Sequence, residues 1–373
     1  MSSNALIFLP DISGFTQFVT QTEIQHSRHI VAELLETVMR ANELGLKISE
    51  VEGDAVLFYR MGEPPSLEEL VHQATKMFLD FHAYLKVIER DRVCECGACQ
   101  SASRLSMKFI GHYGELQETP IGTFTKLIGG DVILAHVLMK NTIPHHEYLL
   151  LTQKYLETQP AGDRKLEEWV TFKTNIEELE SFGEVHTEFI PFSPLRLQVP
   201  DAPVRKDTPV ETGVPDVTIT IDAPLMLVHD ILTDNARKIE YASGIKEIKQ
   251  ETPINRVAAS HTCVFEDFEV HFVTQHNQKR GKEIRYVERG DATQGVRFIT
   301  DYKLTEEGAK TRLDVRTIPA KEGEGPGNAV VRLIATVKSA ILFRMLRGGS
   351  RKFLRELKAY VERIHSEQQQ SSH

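Results

Sequence analysis

Two acidic residues in the first sixty positions are spaced to do chemistry together. Asp11 follows the apolar run Ala5–Leu9 and precedes Ile12-Ser13-Gly14-Phe15-Thr16, which reads as the opening of a helix. Asp54 sits at the tip of a predicted hairpin, Glu52-Gly53-Asp54. Strand ends bring such residues to one edge of a sheet, where two carboxylates hold a divalent cation against phosphate oxygens. The Gly14 segment would offer backbone N–H groups to the same phosphates. Taken singly, each aspartate is as much at home as a solvated strand-end or turn residue. A second cluster is Cys94-Glu-Cys96-Gly-Ala-Cys99. Thiolates at this spacing bind one soft cation, and zinc is the expectation, with Gly97 letting the backbone fold around it. Three cysteines leave a tetrahedral site one ligand short; His112, Asp91, Glu95, Cys263 or a water is expected to complete it. Without metal, the same run is a loop of reduced thiols or a redox-labile Cys94–Cys99 pair.

The second half offers a cavity rather than a catalytic set. On the predicted strand Arg256–Phe265, alternation puts His261 and Cys263 on the face of Val257 and Phe265. On the next strand Phe268, Val270 and Phe272 share a face opposite His271. An apolar surface with a few polar groups suits a small-molecule pocket; it equally suits a packed core with one hydrogen-bonded histidine. No nucleophile, base and orienting group converge here. Pro144-His145-His146 reads as a surface loop and Glu177-Glu178-Leu-Glu180 as a solvated acidic face.

The elements that must position these residues divide in two. At 373 residues the chain is too long for one core and calls for two domains. Six of the 16 prolines lie between Pro191 and Pro215, a stretch that reads as a linker over 193–215. The first half, 1–192, is mixed α/β, with the cysteine run as an insertion at 91–104. Its strands fall at Ala5–Leu9, Leu46–Glu52, Ala55–Arg60, Leu105–Ile110 and Glu147–Thr152. Ser66 and Glu69 form a capping box ahead of a long helix. The second half, 216–367, begins with the strand Val217–Ile221, passes Asp222-Ala223-Pro224 into a helix, and continues as five strands. A long helical segment from Ala329 to about Ile364 follows, with 368–373 as a disordered tail. That order suggests an antiparallel sheet gripping a helix, an α+β layout.

Composition narrows the function. Hydrophobic residues make up 41% and charged residues 26%, which is ordinary for a globular chain. A net charge of −9 argues against wholesale nucleic-acid binding, which needs a basic surface. The stretch Ala329–Leu346 is apolar, but Arg332, Lys338 and Arg344 interrupt it, each costing about 2.5–3.5 kcal/mol at a bilayer centre. No transmembrane segment is expected, and the first residues lack the basic start of a signal peptide. The expected location is the cytoplasm. Arg347, Arg351, Lys352, Arg355, Lys358 and Arg363 form a basic run that would suit an anionic lipid surface or a solvated helix end.

Several segments resemble a known family. Asp11-Ile-Ser-Gly-Phe-Thr resembles the D-[IVL]-x-G-F-[ST] motif of class III adenylate and guanylate cyclases. Glu52-Gly53-Asp54-Ala55 with Leu57 and Phe58 is similar to their second-strand hairpin, and Lys108-Phe-Ile-Gly-His112-Tyr-Gly114 to their strand ending in H-x-G. Leu127-Ile-Gly-Gly-Asp131-Val-Ile133 resembles the segment before their last core helix, and Ser181-Phe182-Gly-Glu-Val-His-Thr their final hairpin. The resemblance implies a ferredoxin-like nucleotidyl-cyclase fold and a site formed across a homodimer. It implies Mg²⁺ or Mn²⁺ at Asp11 and Asp54, and nucleotide contacts from Ile12, Gly14, Phe15, Thr16 and Glu50. The position of Glu50 hints at guanine, while Lys126 departs from that pattern. The family's ribose-orienting Asn, transition-state Arg and phosphate-binding Lys fall at Ile133, Val137 and Phe182. None of these can donate a charge-assisted hydrogen bond, and a homodimer carries the same residues twice, so cyclisation is not expected.

Val217-Thr-Ile-Thr-Ile-Asp-Ala-Pro-Leu, the strands and the closing helix resemble the SRPBCC (START-like, helix-grip) superfamily. That resemblance implies a cavity for a lipid or other apolar small molecule, lined by His261, Cys263, Phe265 and Phe272. The chain therefore reads as a bacterial-type regulatory or binding protein: a degenerate cyclase-like domain for nucleotide or divalent metal, fused to an apolar-ligand domain. The alternatives are a divergent cyclase or metal-dependent phosphohydrolase using Asp11 and Asp54, and a lipid-surface protein.

Overall fold

A computed structural model describes residues 3–122, 124–160, 166–205, 213–293, 295–320 and 329–371, with the side chains of Phe124 and of 329–347 outside that description. The chain divides into two compact units, residues 1–90 with 97–203, and residues 91–96 with 204–373.

The first unit opens with β1 (Ser3–Ser13), α1 (Phe15–Thr20), α2 (Ile24–Arg40), β2 (Lys47–Glu52), β3 (Ala55–Met61) and α3 (Leu67–Asp91). It continues through α4 (Gly97–Ser101), β4 (Ser106–Ile121), β5 (Phe124–Ile128), α5 (Gly130–Leu138), β6 (Tyr148–Thr152), α6 (Gln153–Leu156), β7 (Lys173–Leu179) and β8 (Gly183–Pro191). The sheet order is β2-β3-β1-β4-β6-β8-β7, with β5 pairing off β4. Its first four strands with α2 and α3 form the ferredoxin-like β-α-β-β-α-β arrangement.

The continuous apolar run of β1 has a simple cause. Ala5, Ile7 and Leu9 enter a core with Val132, Leu134 and Leu138 of α5. The alternate residue Phe8 stacks on Phe109, with ring centroids 5.7 Å apart, on the opposite face. A strand buried on both faces has no polar side to alternate with. The predicted capping box is present: Ser66 N donates to Glu69 Oε2 at 2.7 Å and Glu69 N to Ser66 Oγ at 3.3 Å.

β4 extends to Ile121, eleven residues past the predicted end, because Gly111 and Gly114 serve close packing rather than a turn. The predicted linker also starts later than Ser193. Leu195 is fully buried, and Lys86 Nζ on α3 donates to Val199 O and Asp201 Oδ1 at 2.9 Å each. Residues 206–212 of that stretch lie outside the described residues.

The second unit contains β9 (Val217–Ile221), α7 (Leu225–Thr233), α8 (Asn235–Tyr241), β10 (Glu247–Gln250), β11 (Ser260–Val264), β12 (Glu269–Arg280), β13 (Glu283–Ala292), β14 (Val296–Glu307), β15 (Lys310–Pro319) and α9 (Ala329–Ser371). All seven strands pair antiparallel in the order β10-β11-β12-β13-β14-β15-β9. Leu225, Val228 and Leu232 of α7 join Leu354, Leu357 and Val361 of α9 and Leu304, Leu313 and Val315 of the sheet in one core. Residues 91–96 belong here too: Val93 is in this core, and Val257 N donates to Asp91 O at 2.9 Å.

α9 runs unbroken through Gly348 and Gly349 to Ser371, so 368–371 are helical where a disordered tail was expected; 372 and 373 lie outside the described residues. The predicted all-round apolar stretch Ala329–Leu346 concerns side chains outside the described set. Among the described residues, no helix is long and apolar enough to cross a membrane.

Candidate functional site

Asp11 and Asp54 meet because β1 and β3 are antiparallel neighbours. Asp11 lies opposite Ala55, and Ile12 N donates to Asp54 O at 3.0 Å. Gly53 makes the turn with φ of 61°, a conformation that glycine adopts without steric cost. Burial and, after it, the neighbouring Asp11 carboxylate push Asp54 up to about 6. Two carboxylates facing each other in a half-buried site raise the cost of ionising both, and a cation relieves it. Lys108 already supplies part of that relief: its Nζ lies 3.1 Å from Asp11 Oδ2 and donates to Met139 O at 2.7 Å.

The remaining predicted nucleotide contacts are less concentrated. Ile12 is buried, Phe15 half-buried and Thr16 exposed, while Gly14 has φ of 87° and precedes α1. At six residues, α1 aligns too few peptide dipoles to make an anion site by itself, so that part of the expectation is not carried by the fold. Glu50 sits at a β2 bulge, and its carboxylate groups with Glu52 and His136 within 4.8 Å. Lys126 is exposed on β5.

The apolar residues expected at the polar cyclase positions differ in exposure. Ile133 is 59% exposed and Val137 36% exposed on α5, and Phe182 packs partly against the core. Near them runs a network that the sequence reading left without a role. His112 bonds Thr152 Oγ1 at 2.7 Å and Asp131 Oδ1 at 3.0 Å. Lys154 Nζ and the Glu115 amide also donate to Asp131, at 2.6 and 2.7 Å. The His112 hydrogen bond first, with Lys154 and that amide, holds the Asp131 carboxyl well below the usual range.

A Cβ on Gly114 would stand 2.3 Å from Asp131 Cγ, so the H-x-G signal in the sequence is a signal for Asp131. His112, Asp131, Lys154 and Phe182 line a cleft of about 830 Å³.

His112 is thereby committed and is not the missing fourth partner of the cysteines. Cys99 instead has a histidine neighbour within its own unit. His26 Nδ1 is 3.8 Å from Cys99 Sγ, and Cys96 N donates to Cys94 Sγ at 3.4 Å. No signal near the cysteines in the chain points to His26, which lies on α2. Cys263, another expected partner, lies on β11.

Glu177 corrects a reading of a different kind. It is buried, and its Oε1 accepts from Thr142 N, Thr142 Oγ1 and Asn175 Nδ2 at 2.8 Å each, so it is no part of a solvated face.

In the second unit His261, Cys263, Phe265 and Phe272 all line a cavity of about 540 Å³, together with Lys238 and Glu288. Lys238 and Glu288 are a buried ion pair at 3.3 Å. Burial pushes the Cys263 thiol up to about 11, which keeps it protonated and unreactive. The basic run of α9 is matched locally: Lys352, Lys358 and Arg363 pair with Glu356, Glu362 and Glu367 one turn on.

Residues 31–148 match the family described as "Protein of unknown function (DUF2652)". The chain is 33% identical over 160 residues to the "Uncharacterized protein Rv2561/Rv2562" of Mycobacterium tuberculosis, covering 43% of this chain and 72% of that protein. Among solved structures, it is similar to the guanylate cyclase domain of RhGC from Catenaria anguillulae, with 15% identity and a TM-score of 0.38, over 51% of this chain and 97% of that one. It is also similar to the adenylyl cyclase CyaB from P. aeruginosa, with 14% identity and a TM-score of 0.38, over 56% of this chain and 98% of that one.

Proposed function

The chain belongs to the family of the uncharacterized Mycobacterium tuberculosis protein Rv2561/Rv2562, and from that premise we propose that it is a two-module binding protein rather than an efficient enzyme. The first unit binds a nucleotide with Mg²⁺ or Mn²⁺ at Asp11 and Asp54. The second, an SRPBCC-like module on its element order, binds an apolar small molecule.

One observation carries the first half of this reading: Asp11 and Asp54 are brought together; the absence of catalysis rests on the sequence resemblance, which aligns the exposed Ile133 and Val137 with the polar and cationic residues of cyclases. The carboxylates supply the donor set that a hard divalent cation requires, and Asp54, pushed up to about 6, is the group whose proton such a cation would displace. The cation would contribute charge neutralisation at the phosphates. The protein's own part is to hold the carboxylates, and Lys108 must yield Asp11 or share it.

Calorimetric titration of the whole chain with GTP and ATP, with and without Mn²⁺, tests this. The expected result is Mn²⁺-dependent binding that disappears in Asp54→Ala, with no cyclic nucleotide formed. Robust turnover that vanishes in Asp54→Ala would instead establish a divergent cyclase or phosphohydrolase.

A second observation favours a separate zinc site. The Cys94-Glu-Cys96-Gly-Ala-Cys99 spacing supplies three thiolates for a soft cation, and His26 Nδ1 stands 3.8 Å from Cys99 Sγ as a further donor. Such a site would order the loop. Elemental analysis of purified protein should find about one zinc per chain, lost in Cys96→Ser and weakened in His26→Ala. Metal-free wild-type protein would remove this reading.

A further inference from the structure

The cavity of the second unit carries on its wall a set of ionisable groups that a purely apolar site does not need. Lys238 of α8, His261 of β11 and Glu288 of β13 line it at 5%, 2% and 2% exposure. Lys238 Nζ lies 3.3 Å from Glu288 Oε1 and 3.5 Å from His261 Nε2. Glu288 Oε1 also accepts from Tyr286 OH at 2.6 Å.

An ammonium has three N–H donors, and charge-assisted bonds usually close to about 2.7–2.9 Å. Lys238 therefore has two long contacts, and its third N–H meets no acceptor among the described residues. His261 is held neutral: burial first, then the Lys238 charge, pushes it down to about 2. With Nε2 facing the ammonium, the ring proton belongs on Nδ1, and that nitrogen is buried without a hydrogen-bond partner. The wall thus keeps spare donors on Lys238 and His261, while Glu288 Oε1 is already taken by Lys238 and Tyr286.

Its charge, however, offers no surplus cation: among the other lining residues Lys352 is outnumbered by Asp267 and Glu356, and it lies 3.8 Å from Glu356. Lys238 and Glu288 cancel, His261 is neutral, and Tyr286 keeps its proton, since burial and Glu288 raise it well above the ordinary value. A ligand carboxylate would bring an uncompensated charge into this wall, whereas a neutral oxygen would satisfy a donor without that cost. Phe265, Phe272 and Phe298 line the rest of the cavity, whose volume falls in the range of small-molecule sites.

We propose that this cavity takes an uncharged apolar molecule bearing a carbonyl-type oxygen, an ester or ketone, seated on the spare N–H of Lys238, and that it rejects free carboxylates of the same length. This rests on the apolar-ligand reading of the second unit and gives it a polar address.

The test uses the full chain and Prodan, an uncharged apolar ketone whose emission shifts to the blue in a dry site. Methyl dodecanoate and dodecanoate, which share a chain and differ in charge, compete against it at mildly alkaline pH. The ester should displace Prodan at a concentration about tenfold or more below that of the acid. In the double variant Lys238→Met/Glu288→Gln, which removes both charges together, this preference should collapse. The wild-type comparison stands even if that variant does not fold. Displacement by dodecanoate equal to or better than the ester overturns the proposal while leaving the cavity reading intact. Absence of any blue shift and of competition by either compound overturns both.

Discussion

The first unit keeps the carboxylates Asp11, Asp54 and Asp131 near element ends, while the second sinks Lys238, His261 and Glu288 into the middle of elements. Asp11 lies near the end of β1, Asp54 in the turn before β3, and Asp131 in the first turn of α5. There, backbone N–H groups are left over: the Glu115 amide bonds Asp131 directly. Lys238, His261 and Glu288 lie mid-helix and mid-strand, where the backbone is fully paired and only other side chains can compensate a charge. An element end can exchange one charged partner for another; a buried wall must arrive already neutral. That difference is what the proposed reading uses: phosphates and cations for the first unit, uncharged molecules for the second.

The sharpest way to break this comparison is to remove one cation from each unit. Lys238→Met leaves Glu288 buried without its countercharge and should cost about 3–5 kcal/mol in urea unfolding. Lys154→Met removes a lysine that is 59% exposed from Asp131, which keeps His112 and an amide, and should cost under about 1 kcal/mol. Equal costs would abolish the distinction.

Acidification should act on both units alike. His82 is pushed down to about 3 and His261 to about 2, in each case by burial first. The unfolded chain takes up these protons near the ordinary pKa of about 6.5, while the folded chain does not. Stability therefore falls as pH drops below about 6.5, at about 1.4 kcal/mol per pH unit for each histidine, or roughly 2 kcal/mol each by about pH 5. Melting curves against pH should flatten in the variant His82→Gln/His261→Gln; an unchanged slope would show that other groups dominate.

A smaller, local effect is expected from Gly114→Ala. Its Cβ would stand 2.3 Å from Asp131 Cγ, so the Asp131 network must shift, at about 1–3 kcal/mol by chemical denaturation. Least of all should Asp54→Ala disturb the fold, by within about 1 kcal/mol, since it removes one of two like charges. It should nonetheless abolish Mn²⁺-dependent nucleotide binding and leave Prodan binding in the second unit unchanged. Loss of both would mean that the substitution acts through global unfolding.

Local order was legible in the chain itself. The run Ala5–Leu9, the Ser66/Glu69 capping box, the Gly53 turn and the strand Val217–Ile221 appear where periodicity and turn chemistry place them, because each depends on neighbours within one turn or one hairpin. Glycine misled at β4, where Gly111 and Gly114 permit close approach by Leu151 and Asp131 instead of breaking the strand. Acid content misled at Glu177, which three donors from β7 and the loop after α5 bury.

By itself, then, the sequence determined the long elements and their order, and that Asp11 and Asp54 would lie near strand ends, while short elements such as β5, α8 and β10 escaped it. Only the tertiary structure decided which distant side chains meet: His26 with Cys99, Asp131 with His112 and Lys154, Lys238 with Glu288 and His261. The physical reason is that local spacing encodes faces and turns, whereas a partner far along the chain is chosen by strand register and helix packing, for which no short pattern carries the information.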